Sequence, residues 1–129
     1  METRVFTIIL VSPNKDTFSD FEVGLNQNAD IEIIHADSGE RALKTISDRT
    51  VDLVVTDEVL GDMTNIEFAG RLIRVNPMIH CASVSGLSPE AFHEASEGLG
   101  IMCQLSVHPG KAEAEILLAK LEILTQIAQ

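Results

Sequence analysis

The chain contains no tryptophan and no tyrosine, and five phenylalanines carry all of its aromatic content. Its core must therefore be aliphatic. Cations are scarce as well. Nine Lys and Arg stand against twenty Asp and Glu, a formal net charge of −11. With no basic stripe to displace phosphate counterions, nucleic-acid binding is excluded as a function class. The acidic residues are scattered rather than blocked, which argues against a disordered acidic tail. Only two cysteines are present, Cys81 and Cys103, both within apolar, strand-like runs. They read as reduced core residues. The sequence shows no CxxC pair and no signal segment, which favours a cytoplasmic location. No apolar run approaches the roughly 20 residues that cross a bilayer, so no membrane span is expected.

What is present is 129 residues, 45% of them hydrophobic. That length fits a single domain over 1–129, able to bury roughly 68% of its unfolded surface without metals or disulfides. Five short apolar runs alternate with five amphipathic ones. The apolar runs are Phe6–Val11, Ile31–His35, Val51–Thr56, His80–Ser85 and Ile101–Val107. Three of them are rich in Val and Ile with little polar alternation, as in strands covered on both faces. Among the helical runs, Ser38 precedes GERALKTISD, in which Ala42, Leu43 and Ile46 share a face. Ser88-Pro89 pairs an N-cap with a proline at the first helical position, and Ser12-Pro13 reads the same way. Phe18, Phe21 and Leu25 mark the first helix. Ile66, Ala69 and Ile73 mark the third, which Asn76-Pro77 ends. Strict β-α alternation with short connections predicts an α/β fold, with a parallel sheet, right-handed crossovers and helices on both faces.

The last helical run, KAEAEILLAKLEILTQIA, is apolar around most of its circumference. One face must cover the sheet. The surplus, read at Ile116, Ile123 and Ile127, either is buried deeper in the monomer or meets a partner, a second copy included.

The stretch VDLVVTDEVLGDMTNIEF, with IEIIHADSGERAL, HCASVSG and QLSVHPG around it, resembles the receiver domain of bacterial two-component response regulators. The resemblance spans Phe6 to about Ile127. It implies a flavodoxin-like, three-layer fold with strand order 2-1-3-4-5, which gathers the strand tips. It implies that Asp57 stands at the phospho-acceptor position. Gly61 and Asn65 stand where the family commonly has proline and glycine, and asparagine is well suited to replace glycine at positive φ. Ser85 and His108 become the candidate phosphate contacts, His108 in the place of the family's lysine.

The resemblance also shows what has changed. The acidic pair that would help hold Mg²⁺ aligns with Ser12 and Pro13, which bring a neutral hydroxyl and no ligand at all. Asp57 and Glu58 are left as metal-ligand candidates, with Asn14, Asp16 and Asp62 nearby as substitutes. Mg²⁺ prefers near-octahedral oxygen ligands at roughly 2.0–2.1 Å, which neighbouring loop positions rarely reproduce. The aromatic that switches in the family's fifth strand falls near Leu105. His35, His80 and His93 are dispersed and suggest no metal site. The expectation is a divergent, non-enzymatic receiver that signals mainly by docking to a sensor kinase or downstream regulator, with weak or absent phosphorylation. One alternative is a fully working phospho-acceptor with substitute metal ligands. Another is a small phosphohydrolase, for which the chain lacks a second catalytic carboxylate, a Gly-rich phosphate loop and a nucleophile elbow.

Overall fold

A computed structural model of the chain describes residues 5–27 and 30–128, with side chains through 125. The alternation expected from the sequence is present as β1 (Phe6–Val11), α1 (Ser19–Asn26), β2 (Ile31–Ala36), α2 (Gly39–Asp48), β3 (Leu53–Thr56), α3 (Asn65–Val75), β4 (His80–Val84), α4 (Pro89–Ser96), β5 (Ile101–Leu105) and α5 (Lys111–Ala128). The five strands form one sheet in the order β2-β1-β3-β4-β5. Every pairing is parallel.

The period-2 geometry of a strand divides the core in two. From β1, Phe6, Ile8 and Leu10 pack on one side with Phe21 of α1 and Leu117 and Leu121 of α5. Ile9 and Val11 point the other way, toward Ala42 and Ile46 of α2 and Phe68 and Leu72 of α3. The central strands β1 and β3 are buried along their whole length. This is why their sequences are continuous aliphatic runs rather than alternating ones. The edge strands β2 and β5 are partly exposed, and carry Glu32, His35 and Gln104. Cys81 packs in the α2/α3 cluster and Cys103 against the α1/α5 cluster, so the sheet separates the two free thiols. Burial pushes the Cys81 thiol up to about 12, which makes it inert.

Helix starts follow local capping chemistry. Ser38, Thr64 and Ser88 each accept a backbone N–H three residues on, from Arg41, Glu67 and Ala91 respectively, at 3.2 Å. At α5, Glu113 instead reaches back and accepts the Gly110 amide at 3.4 Å, just before the helix. Burial alone would raise its carboxyl, but the hydroxyl and amide of Ser106 and the amide of Gly110 bring it below the ordinary value.

The expected helix start at Ser12-Pro13 is not observed. Ser12 N–H still donates to Ala36 O at 3.0 Å, so the chain is in the sheet ladder at this point. A run of turns then precedes α1, whose N-cap residue Phe18 offers no side-chain cap. Asn65 is also corrected. It is the first residue of α3 and not a left-handed turn residue, and positive φ in this loop falls on Gly61 at 92°.

Candidate functional site

The pairing register sets Val11, Thr56 and Ser83 side by side across β1, β3 and β4. The residues just beyond them form the site. Asp57 follows β3 and is half-buried. Its Oδ2 accepts the Ser12 hydroxyl at 2.7 Å and the Thr17 hydroxyl at 3.0 Å, while Oδ1 accepts the Glu58 amide at 2.8 Å. Sequence separations of 45 and 40 residues are thus closed at one carboxylate. Ser12, just past β1, thus meets Asp57 as a neutral hydroxyl partner. Nothing in the sequence marks Thr17, which reaches Asp57 because the turns after β1 fold back over the sheet edge. Ser12 Oγ also accepts the Asn14 amide at 3.0 Å, which fixes that turn. Pro13 lies against the β3 loop: its Cβ is 3.8 Å from where a side chain on Gly61 would begin.

Glu58 turns away from Asp57. Its carboxylate accepts the Gly86 amide, just past β4, at 2.8 Å, and its carbonyl accepts the Asn65 amide at 3.1 Å. Ser85 is buried beside Gly86, and its hydroxyl accepts the Leu87 amide at 3.1 Å. His108, three residues past β5, is exposed, and its φ of 57° lies in the left-handed region that strains a side chain. Among the described residues it makes no hydrogen bond or ion pair to this cluster.

Of the substitute ligands, Asp62 and Asn14 are engaged elsewhere and Asp16 is exposed. Asp62 Oδ1 and Oδ2 accept the Gly39 and Glu40 amides at 2.8 and 3.0 Å, capping α2. Those two amides hold its carboxyl below the ordinary value of 3.8. Asn14 Oδ1 accepts the Asp16 amide at 2.9 Å. Among the described residues, no group of three or more His, Cys, Asp or Glu side chains is placed to hold a metal. One carboxylate flanked by two hydroxyls is a poor donor set for a hard divalent cation. The residues present therefore do not fit Mg²⁺ held as the resemblance implies, and the Glu58 carbonyl, the ligand expected from that residue, already accepts the Asn65 amide at 3.1 Å.

Leu105 is buried in the core. His35 bonds Glu22 at 2.9 Å. Of the expected interaction face, Ile116 and Ile123 are each 56% exposed, whereas the side chain of Ile127 lies outside the described residues. Glu58 and Gln104 act here in ways the sequence does not signal. Gln104 is merely a polar residue inside an apolar run, yet its Nε2 donates to Ser85 O and Leu87 O at 3.2 and 2.8 Å.

No protein-family model matches the chain. No curated protein matches it either. Solved structures do. It is similar to the signal receiver domain of an HD domain-containing protein from Pseudomonas fluorescens Pf-5, at 20% identity and a TM-score of 0.80, with 94% of this chain and 89% of that one covered. A two-component response regulator from Legionella pneumophila is 22% identical, with a TM-score of 0.76 over 91% and 98% of the two chains. The chemotaxis response regulator CheY4 of Vibrio cholerae is 14% identical, with a TM-score of 0.79 over 91% and 98%. At such identities the likeness speaks for architecture. Joined to the strand order, the five helices and the aspartate at the tip of β3, it establishes that this chain has the fold of a response-regulator receiver domain.

Proposed function

We propose that the chain is a receiver-type signalling module, non-enzymatic and cytoplasmic, that works mainly by docking to protein partners. Phosphorylation at Asp57 is weak or absent in this reading. The observation that carries it is the environment of that carboxylate: Ser12 at 2.7 Å and Thr17 at 3.0 Å, both neutral. An added phosphoryl group brings about −1.5 to −2 charges. Phosphoryl transfer depends on cations that offset such charge. Here no lysine stands in the His108 position, and Pro13 offers no ligand. A working phospho-acceptor needs new metal ligands, and Asp62 and Asn14 already serve the backbone of α2 and of the first loop. Ser85 and His108 are the phosphate contacts of that alternative.

The partners we propose are a sensor kinase or downstream regulator, or a second copy, meeting the α5 stripe of Ile116, Ile123 and Ile127. Residues seven apart on a helix lie on one side of it. Among the described residues no helix is long and apolar enough to cross a membrane.

Intact mass after incubation with an acyl phosphate and Mg²⁺ tests the proposal, with Asp57→Asn as the control. The expected result is no added phosphoryl mass under conditions that modify an ordinary receiver. A gain that disappears in the Asn variant would establish the phospho-acceptor instead.

A further inference from the structure

We propose that Glu58 is an internal ligand of the β4–α4 turn, a positioning residue that keeps this turn in one arrangement without any modification of Asp57. The backbone of Glu58 is itself fixed. Its amide donates to Asp57 Oδ1 at 2.8 Å, and its carbonyl accepts the Asn65 amide at 3.1 Å. From that anchored point the carboxylate crosses from the end of β3 to the Gly86 amide, 2.8 Å away.

The rest of the turn is held from its other sides. Asn65 Nδ2 donates to Val84 O at 2.9 Å from the start of α3. Gln104 Nε2, on β5, donates to both Ser85 O and Leu87 O. The Ser85 amide donates to Leu105 O at 3.0 Å, and the Leu87 amide donates to Ser85 Oγ at 3.1 Å. Every one of these turn groups thus has a partner, and the partner of the Gly86 amide is the only charged one. A hydrogen bond to a charged acceptor is stronger than one between neutral groups. The amide that an anion arriving at the strand tips would find is already taken by the chain's own carboxylate. The half-exposed Leu87 is thereby held in place, and Val107 Cγ2 lies 3.5 Å from where a Cβ on Gly86 would begin. The inference deepens the docking reading and rests on it for its signalling consequence.

Amide hydrogen exchange by NMR on the full chain tests it, comparing wild type with Glu58→Ala and Glu58→Asp. Glu58 is exposed, so both variants fold. The Asp variant keeps the charge but loses one methylene of reach. In both variants, exchange at Gly86 and at Leu87 is expected to quicken about tenfold. Leu87 is the telling reporter, because its amide bonds to Ser85 and not to Glu58. Leu87 exchange less than about threefold faster than wild type in either variant overturns the proposal. The phosphoryl-mass experiment fails or succeeds independently: a chain that takes up phosphate while its Glu58 variants loosen the turn sinks the docking reading and leaves this inference standing.

Discussion

Asp57 and Asp62 lie five residues apart and use their carboxylates for different ends. Asp57 ties the loop after β1 to the end of β3 through two hydroxyls. Asp62 caps α2 through two backbone amides. The cap puts a negative charge on a helix N-terminus, where the exposed N–H groups and the helix dipole favour it. Replacing Asp62 by Asn removes the charge at this exposed helix terminus and should cost about 0.3–1 kcal/mol at pH 7, read from urea midpoints. The sign of the pH dependence follows from the depressed carboxyl. A group whose folded value lies below its unfolded value contributes its stability above the unfolded value, and that contribution is lost as pH falls through the folded one. The gap between wild type and variant should therefore be full at pH 7 and shrink as pH drops below about 4. A gap that widens in acid would rule out this account of Asp62. At this scale the sequence placed Asp57 at its strand tip through the apolar run before it. It could not name Thr17 or the direction of the Glu58 side chain, because neither belongs to a local pattern.

Among the elements, α1 and α5 approach each other closely at Gly24. A Cβ there would sit 2.8 Å from Ala114 Cβ and 2.8 Å from Lys111 O. Glycine to alanine in a helix ordinarily stabilises by roughly 0.5–1 kcal/mol. Here the sign reverses, since one obstacle is backbone that cannot swing aside, and Gly24→Ala should cost about 1–3 kcal/mol in chemical denaturation. An unchanged or higher midpoint would mean that the two helices separate at little cost. Within α5 the neighbours Ile116 and Leu117 make the opposite contrast. Leu117 is fully buried against the sheet and Ile116 is exposed. Thermal or urea unfolding should show a loss of about 2–5 kcal/mol for Leu117→Ala. Ile116→Ala should stay within about 0.5 kcal/mol. Equal losses would place Ile116 in the core and remove it from any docking face. The near-uniform apolar character of this helix was plain in the sequence, but which residues face the sheet depends on the angle at which α5 lies on it.

For the molecule as a whole, the net charge of −11 sets a constant internal repulsion. Raising salt from about 20 to about 200 mM shortens the screening length from about 20 to about 7 Å. That should raise the melting temperature by about 2–5 °C, and a fall would show that local ion pairs outweigh the global field. The sequence by itself determined the layered α/β architecture, because period-2 burial, 3.6-residue amphipathicity and the serine caps at Ser38 and Ser88 are properties of adjacent residues. It also displayed Ser12, Pro13 and His108 as residue types that carry no fixed charge, which is what the proposed docking reading rests on. Only the tertiary structure decided that Ser12 bonds Asp57 instead of opening a helix, that Asn65 starts α3 and anchors β4, and that Glu58 reaches Gly86. Those contacts join residues 45, 19 and 28 positions apart. They come into being only when the parallel sheet brings the carboxyl ends of β1, β3 and β4 to one edge.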